Sequence, residues 1–302
     1  MDALTEHLSS YVAGLRYDDI PPDAVHGMKV RLVDTLGCAV AGLNGEPVAV
    51  ARALAREAAS TAPGRVWSTG ERTTPELAAF ANELMVRYLD FNDTYFAMEG
   101  GHPSDTIAAT LTLADAAGVS GRDALVAMVS AYEVFCGLGE VHKPSTKFID
   151  HSLHVALGSA AGASKVLGLD AERTAHAISI ALTANLGLRI ARDGKLSMWK
   201  AGSAANSAQA GVFAARLAEK GMTGPDEAFH GESGLAGGSW AHGRRCPGSA
   251  EHRTRSTRPS AASRRSRLSS TRRPLSGRRL DSGRSWETHS RRGSQWPATG
   301  RR

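Results

Sequence analysis

A short polar stretch, residues 89–105, concentrates the side chains that can do chemistry, and it reads LDFNDTYFAMEGGHPSD. It carries four acidic residues, one histidine, a serine and a threonine between apolar helical segments. Gly100 and Gly101 permit backbone conformations closed to other residues, and Pro103 stiffens the chain that follows them. Such a polar loop is typical of a segment that presents side chains into a cleft, so it is the leading candidate for a functional site.

His102 stands directly before a predicted helix. Pro103 suits the first position of a helix that continues through Ile107 and Leu111. The aligned peptide dipoles at a helix N-terminus attract anions and lower the pKa of an imidazole, which keeps the ring neutral and basic. The position therefore predicts a proton-transfer role for His102, while the simpler interpretation is a histidine that only caps the helix.

Two further helix starts carry basic or titratable side chains. His151 and His154 lie at the start of a helix predicted over residues 152–167, and Lys200 precedes one predicted over residues 203–220. If the three N-termini converge, they form a pocket rich in backbone N–H donors and cationic side chains. Such a pocket suits a substrate with several carboxylates.

The segment before Lys200 adds positive charge to this predicted pocket. Arg192 and Lys195 lie within eight residues of Lys200, and we expect both to bind substrate carboxylates. Simpler interpretations exist for Arg192 and for the two histidines. Arg192 also fits a solvated helix end, and His151 and His154 also fit ordinary polar residues at a helix start.

The elements that must position these side chains are predicted to be helices. Apolar residues recur at helical spacing in residues 4–17, 22–43, 47–60, 74–88, 104–117, 121–138, 152–167, 171–186 and 203–220. No pair of alternating apolar strands in residues 1–240 indicates a hairpin, so the predicted fold class is an all-α helical bundle. The helix over 22–43 is apolar on more than one side and is expected to be central, and Trp199 is expected in the core.

The 302-residue chain has two segments of opposite net charge. Residues 241–302 contain 17 arginines, no lysine and three acids, whereas residues 1–240 contain 19 Lys and Arg against 27 Asp and Glu. Cys38 and Cys136 lie in apolar helical runs, so neither a disulfide framework nor a metal-ligand spacing is indicated. No apolar run approaches the roughly 20 residues that span a bilayer, and the first residues lack a basic signal-peptide start. We therefore expect a cytoplasmic protein without membrane contact.

The polar loop also carries a family resemblance. The string LDFNDT followed by EGGHPSD resembles the MmgE/PrpD family, and with Asn92 and Glu99 in place it looks most like the 2-methylcitrate dehydratase branch. The resemblance runs from about Leu4 to about Leu235. It implies dehydration of a tricarboxylate, 2-methylcitrate to 2-methyl-cis-aconitate, or decarboxylation as in other members, without a metal or organic cofactor. It also implies a homodimer.

The resemblance assigns roles to individual residues. It implies that His102 and Asp90 are catalytic and that Thr94 and His151 contact substrate, with His154 a near competitor of His151. Lys200 is our candidate for a catalytic cation. The lysine departs from the family pattern. Relatives tend to carry a basic residue about five positions before the glycine that aligns with Gly202, and here that place holds a serine. Lys200 or Lys195 would have to supply the charge instead.

The C-terminal segment does not resemble the family. Residues 237–302 are Arg- and Ser-rich and contain no Ile, Val, Phe, Tyr or Met, so we expect a disordered tail after a helical domain over residues 1–236. One interpretation is a basic arm that binds nucleic acid nonspecifically. The favoured one is translation in a slipped frame of a GC-rich coding sequence, because such a frame yields Arg and Ser with almost no Lys.

Family members contain a further domain beyond the point where the resemblance stops. Its members have a smaller α/β lid domain that closes over the helical domain, and that domain is expected to be missing here. The hypothesis is therefore a dehydratase-type site with impaired activity. Two alternatives belong to a different functional class: a noncatalytic helical scaffold, and a nucleic-acid binder that acts through its tail.

Overall fold

Nine α-helices dominate the part of the chain that the computed structural model describes, residues 1–236. They are α1 Ala3–Gly14, α2 Pro22–Gly42, α3 Glu46–Glu57, α4 Pro75–Arg87, α5 Ile107–Ala117, α6 Gly121–Val141, α7 Ser152–Val166, α8 Ala171–Ala184 and α9 Trp199–Glu219. Short 3₁₀ helices cover Tyr17–Asp19, Pro103–Thr106, Pro144–Lys147 and Arg189–Arg192. The predicted all-α fold class is confirmed.

Local sequence rules account for where several helices begin. The Thr74 side chain accepts a hydrogen bond from the Leu77 amide at 3.4 Å, and Pro75 follows it as the first residue of α4. The Asp170 carboxylate accepts a hydrogen bond from the Arg173 amide at 2.8 Å and begins α8 in the same way. Both residues satisfy amides that have no partner inside the helix.

Helix α7 is the centre of the bundle. Its residues 152–164 are all buried, and it packs against α5, α6, α8 and α9. Small residues let it approach α9 closely, because a Cβ on Gly211 would lie 2.5 Å from the Cβ of Ser159 and 2.6 Å from the amide nitrogen of Ala160. The close approach brings the N-terminal turns of α7 and α9 to the same end of the bundle.

Two expectations about the core are wrong. Helix α2 is not central, because one of its apolar sides is exposed: Val33 is 70% and Val40 75% accessible. Trp199 is 51% accessible at the start of α9 and is not a core residue. In both cases the sequence shows that a side chain is apolar but not whether another element covers it.

Strands are minor but not absent. β1 Gly64–Arg65 pairs antiparallel with β2 Arg72–Thr73, and β3 Tyr95–Phe96 pairs antiparallel with β4 Gly100–Gly101. The expectation of no hairpin therefore fails, because two-residue strands are too short to show an alternating pattern. The second hairpin folds the polar loop back on itself, so that His102 returns beside Asp93.

Helix α6 is long and apolar enough, by length and composition, to cross a membrane. Buried positions make up 67% of its most apolar stretch, which is the state of a core helix in this bundle. The described residues all belong to one compact unit. The predicted Arg- and Ser-rich tail, residues 237–302, lies outside the described residues, and the domain boundary at residue 236 stays a prediction.

Candidate active site

Asp90 lies at the centre of the predicted site, just beyond the end of α4. Its backbone is left-handed, with φ of 59°, a conformation that Asp tolerates better than most residues with a side chain. This turn directs the carboxylate to two cations at once. Oδ1 pairs with the Arg87 guanidinium, and Oδ2 lies 3.0 Å from Nζ of Lys200 in the first turn of α9.

The charge of Asp90 follows from these partners. Burial alone would raise the pKa of the carboxyl, but the charges and hydrogen bonds of Arg87 and Lys200 outweigh it. The pKa of Asp90 therefore lies well below its usual range. Asp90 is an anion at neutral pH, and it remains one-third exposed, with 32% of its side chain accessible.

The imidazole of His102 is oriented by the polar loop itself. Its Nδ1 lies 2.7 Å from the Asp93 carbonyl oxygen and 3.3 Å from Oγ1 of Thr94. Because a carbonyl oxygen can only accept, Nδ1 carries the proton and Nε2 is left with its lone pair. Nε2 is 3.8 Å from Oδ1 of Asp90.

Burial is the main cause that lowers the pKa of His102, and the positive charge of Arg87 lowers it further. The pKa of His102 is thus lowered, as predicted, but the causes are burial and the buried Arg87 guanidinium rather than the helix N-terminus. The His102 side chain forms no hydrogen bond that caps the following helical turn. The arrangement is a neutral base whose free nitrogen faces a carboxylate, which can stabilise the imidazolium once a proton arrives.

A buried polar layer fixes this part of the loop. Nδ2 of Asn92 donates to Oγ of Ser104 at 2.9 Å and to Oδ1 of Asp105 at 2.6 Å. The Asp93 carboxylate accepts from the Ser104 amide at 3.0 Å and from the Tyr132 hydroxyl at 2.9 Å. The Asp93 carboxylate therefore ties the backbone at Ser104 to helix α6.

His151 meets His102 at the start of α7. The two ring centroids are 6.0 Å apart and the rings are tilted by 53°. Gly101 makes this contact possible, because a Cβ there would lie 2.8 Å from Cζ of Phe135 and 3.1 Å from Cδ2 of His151. Burial, and then the charge of Arg192, lower the pKa of His151, so it is neutral at neutral pH.

The three predicted helix starts therefore meet at one end of the bundle, with His102 and Lys200 beside Asp90 and with His151 beside His102. A family model of the MmgE/PrpD N-terminal domain matches residues 6–241. The chain belongs to the MmgE/PrpD family.

Relatives of this MmgE/PrpD chain include dehydratases and a decarboxylase, which are lyases. It is 31% identical over 245 residues to the mitochondrial 2-methylcitrate dehydratase of Yarrowia lipolytica, a match covering 74% of this chain and 45% of that protein. It is 32% identical over 232 residues to the 2-methylcitrate dehydratase of Escherichia coli K12, covering 67% and 47%. It is 30% identical over 245 residues to human cis-aconitate decarboxylase, covering 78% and 50%. The chain spans about half the length of the curated relatives it matches.

Arg192 does not present a free charge in this MmgE/PrpD domain. Its Nε lies 2.6 Å and its Nη2 3.1 Å from the two oxygens of Asp150, a bidentate pair. Asp150 also accepts a hydrogen bond from the Ser152 amide at 2.9 Å at the start of α7. The predicted substrate contact of Arg192 has to compete with this buried pair, which instead fastens the 3₁₀ turn Arg189–Arg192 to α7.

His154 and Lys195 are not brought to the site. Nε2 of His154 is 3.2 Å from Nδ1 of His142, and the edge of the ring packs against Phe135, so His154 lies one turn deeper in the core. Lys195 is exposed in the loop before α9 and pairs with no residue in the described part of the chain. Of the two candidate lysines, only Lys200 contacts a predicted site residue.

The sequence interpretation missed the charged residues of α4. Glu83 and Arg87 are both buried in a helix that otherwise reads as apolar, and Arg87 joins Asp90 to Asp105, where Nε and Oδ2 are 3.5 Å apart. A signal was available in the spacing. Glu83 and Arg87 are four residues apart, which places both on one side of α4, and Asp90 follows three residues later, just beyond the end of that helix.

No group of three or more His, Cys, Asp or Glu side chains among residues 1–236 is arranged to hold a metal ion. A cavity of about 440 Å³ lies elsewhere, between α4 and α9. It is lined by Thr74, Glu76, Leu77, Asn206, Gln209, Ala210 and Phe213. None of these is a predicted site residue, so we locate the chemistry by the charged cluster and not by this cavity.

Proposed function

We propose that residues 1–236 form the helical half of a site that removes water from 2-methylcitrate to give 2-methyl-cis-aconitate. The observation that carries the proposal is the neutral His102, whose free Nε2 lies beside the anionic Asp90, while Asp90 in turn holds Lys200. The names of the curated relatives support the substrate class.

The proposed reaction begins at His102. Its Nε2 takes the proton from the substrate carbon beside a carboxylate, and Asp90 at 3.8 Å stabilises the imidazolium that forms. The carbon–oxygen bond to the neighbouring hydroxyl then breaks. The imidazolium returns the proton to the leaving hydroxyl, so proton and hydroxyl depart together as one water and a carbon–carbon double bond remains.

Lys200 and Thr94 are proposed to hold the substrate during this step. The Lys200 ammonium lies in the first turn of α9, where it can bind a substrate carboxylate and stabilise the negative charge that develops beside the carbanion. Thr94, whose Oγ1 lies 3.3 Å from Nδ1 of His102, is proposed to bind the substrate hydroxyl. His151, whose ring centroid lies 6.0 Å from that of His102, is proposed to contact the substrate beside it.

The whole activity is proposed to need more than this half of the site. Asp90, His102 and Lys200 remain 32%, 15% and 19% accessible, so the described residues leave the site partly open to water. We therefore propose that the 302-residue chain has low turnover by itself. A homodimer in the cytoplasm remains part of the proposal, supported by exposed apolar side chains on α2 and α3 such as Val40 and Val50.

A decarboxylase of the same family is the second candidate. It is supported by the similarity to human cis-aconitate decarboxylase, and it would use the same cationic site for a tricarboxylate while breaking a carbon–carbon bond. Products distinguish the two reactions, since only decarboxylation releases carbon dioxide. The scaffold and the nucleic-acid binder have no supporting observation in residues 1–236.

The test compares binding and turnover in the full 302-residue chain. We expect 2-methylcitrate to bind in calorimetry, Lys200→Met to weaken binding about 10- to 100-fold through the loss of one charge-assisted contact, and Lys29→Met on the exposed side of α2 to change nothing. Tricarboxylate binding that is absent, or equal in Lys200→Met, refutes the proposed site. Turnover equal to that of a full-length relative, followed by product absorbance, refutes the low-activity part.

A further inference from the structure

Glu83 is an unusual residue for the middle of a core helix. Its side chain is fully buried in α4, and neither carboxyl oxygen has a hydrogen-bond donor among the described residues. Its neighbour Asp105 is equally buried, and Oδ2 of Asp105 also lacks a hydrogen bond. The two carboxyls contact one another. Two ionised carboxylates cannot share such a site without a large electrostatic cost.

The charges of the surrounding cluster favour one bound proton. Two cations, Arg87 and Lys200, face three carboxyls, those of Glu83, Asp90 and Asp105. Asp90 is ionised, because both cations contact it. Asp105 accepts a hydrogen bond from Asn92 and lies in an ion pair with Arg87. The remaining carboxyl, Glu83, has no cation in contact with it.

Other titratable groups near the cluster do not change this balance. His102 and His151, which face it from the polar loop and from α7, are neutral for the reasons given above. Cys38 on α2 faces Glu83, and its thiol is neutral because burial raises its pKa to about 11. Burial, followed by the charge of Asp105, likewise raises the pKa of Glu83 well above its usual range.

We propose that Glu83 is a permanently protonated positioning residue, which donates a hydrogen bond to Oδ2 of Asp105 and so leaves Arg87 free to hold Asp90 beside His102. The proposal deepens the dehydratase-type site and rests on that proposed function. Asp105 belongs to the 3₁₀ turn Pro103–Thr106 that follows His102. The shared proton therefore ties the histidine-bearing turn to the helix whose end carries Asp90.

The expected consequence of losing this proton is a shift of Arg87. Without a donor from Glu83, Oδ2 of Asp105 has Arg87 as its nearest partner, now 3.5 Å away and outside hydrogen-bond geometry. Arg87 would close that distance and move away from Asp90. Since the charge of Arg87 lowers the pKa of His102, its departure would raise that pKa.

The first measurement is infrared difference spectroscopy of the full chain at neutral pH. A protonated carboxyl has a carbonyl stretch that ionised carboxylates lack. We expect this band in the native protein and its loss in Glu83→Gln, whose amide still donates to Asp105. A band that persists in Glu83→Gln overturns the proposal, because the proton then belongs to another group.

The second measurement is the titration of His102 by NMR. Glu83→Met keeps the side-chain volume but removes the donor, so we expect the pKa of His102 to rise by about half a unit or more, and Glu83→Gln to restore the native value. Glu76→Gln, on the same helix and paired with Arg216, is the matched control and should leave the titration unchanged. Equal titrations in the native protein and Glu83→Met overturn the positioning role.

Both measurements are independent of turnover. A native chain that binds no tricarboxylate refutes the proposed function, yet the infrared band and the His102 titration still decide whether Glu83 acts on this cluster. If Glu83→Met does not fold, the band in Glu83→Gln decides the protonation. The titration of His102 in Glu83→Gln then tests the positioning role. A His102 pKa that differs from the native value refutes that role, because the amide of Gln should donate to Asp105 as the protonated carboxyl does.

Discussion

The carboxylate of Asp90 should control the basicity of His102, and Asp90→Asn tests this with little change in shape. Asn tolerates the left-handed backbone that Asp90 adopts, with φ of 59°, so the turn after α4 should persist. The substitution removes one negative charge at 3.8 Å from Nε2 of His102. The imidazolium then loses its stabilising partner while the positive charges of Arg87 and Lys200 remain.

Coulomb's law gives the size of the effect. At 3.8 Å the interaction between unit charges is about 1 kcal/mol with the dielectric constant of water and about 4 kcal/mol with an effective value of 20. Asp90 and His102 are partly exposed, so the true value lies between these limits. The pKa of His102 should therefore fall by about one to three units in Asp90→Asn.

NMR of ¹³C- and ¹⁵N-labelled histidine measures this prediction. Titration of the His102 ring gives the pKa, and the nitrogen shifts report whether Nδ1 keeps the proton that it donates to the Asp93 carbonyl oxygen. Asp115→Asn is the matched control, because it neutralises a surface carboxylate paired with Arg65. A His102 pKa that stays constant or rises in Asp90→Asn would show that Asp90 does not stabilise the imidazolium.

Two further predictions concern packing around the histidines. Gly101→Ala should lower the free energy of unfolding by about 1 to 3 kcal/mol and displace the His151 ring, because the added methyl group meets His151 and Phe135. Chemical denaturation and the NMR shifts of His151 measure the two effects, and unchanged His151 shifts would contradict the prediction. Burial, then His142, lower the pKa of His154 to about 3. Neutral His154 therefore contributes its full stability at pH values above about 6.5, the pKa of histidine in the unfolded chain. That contribution is lost as the pH falls towards 3. His154→Gln should flatten that loss of stability in denaturation curves, and the exposed control His26→Gln should not; parallel curves for native protein and His154→Gln would refute the assignment.

The helices were predictable because their signals are local. Thr74 and Asp170 belong to the residue types that commonly cap helices, and the structure shows each accepting a hydrogen bond from the amide three residues on. The polar loop was also identifiable, since four acids, a histidine and two adjacent glycines between apolar helices have no packing explanation.

The failures concern contacts between residues far apart in the chain. His151 and His154 are three residues apart and similar in sequence terms, yet one meets His102 and the other His142. The helix advances by most of a turn between them, so only His151 stays at its open end. Arg192 was expected to be free because its partner, Asp150, is 42 residues earlier.

The contact between Lys200 and Asp90 has a consequence for which anions the bundle can accept. In the unliganded protein the ammonium already has a resident carboxylate at 3.0 Å. An ammonium group has three N–H donors, so an incoming carboxylate can bind Lys200 beside Asp90, but the negative charge of Asp90 repels it and a monocarboxylate gains little. A molecule with several carboxylates can make additional contacts at the same rim. The carboxylate of Asp90 would therefore disfavour small singly charged metabolites.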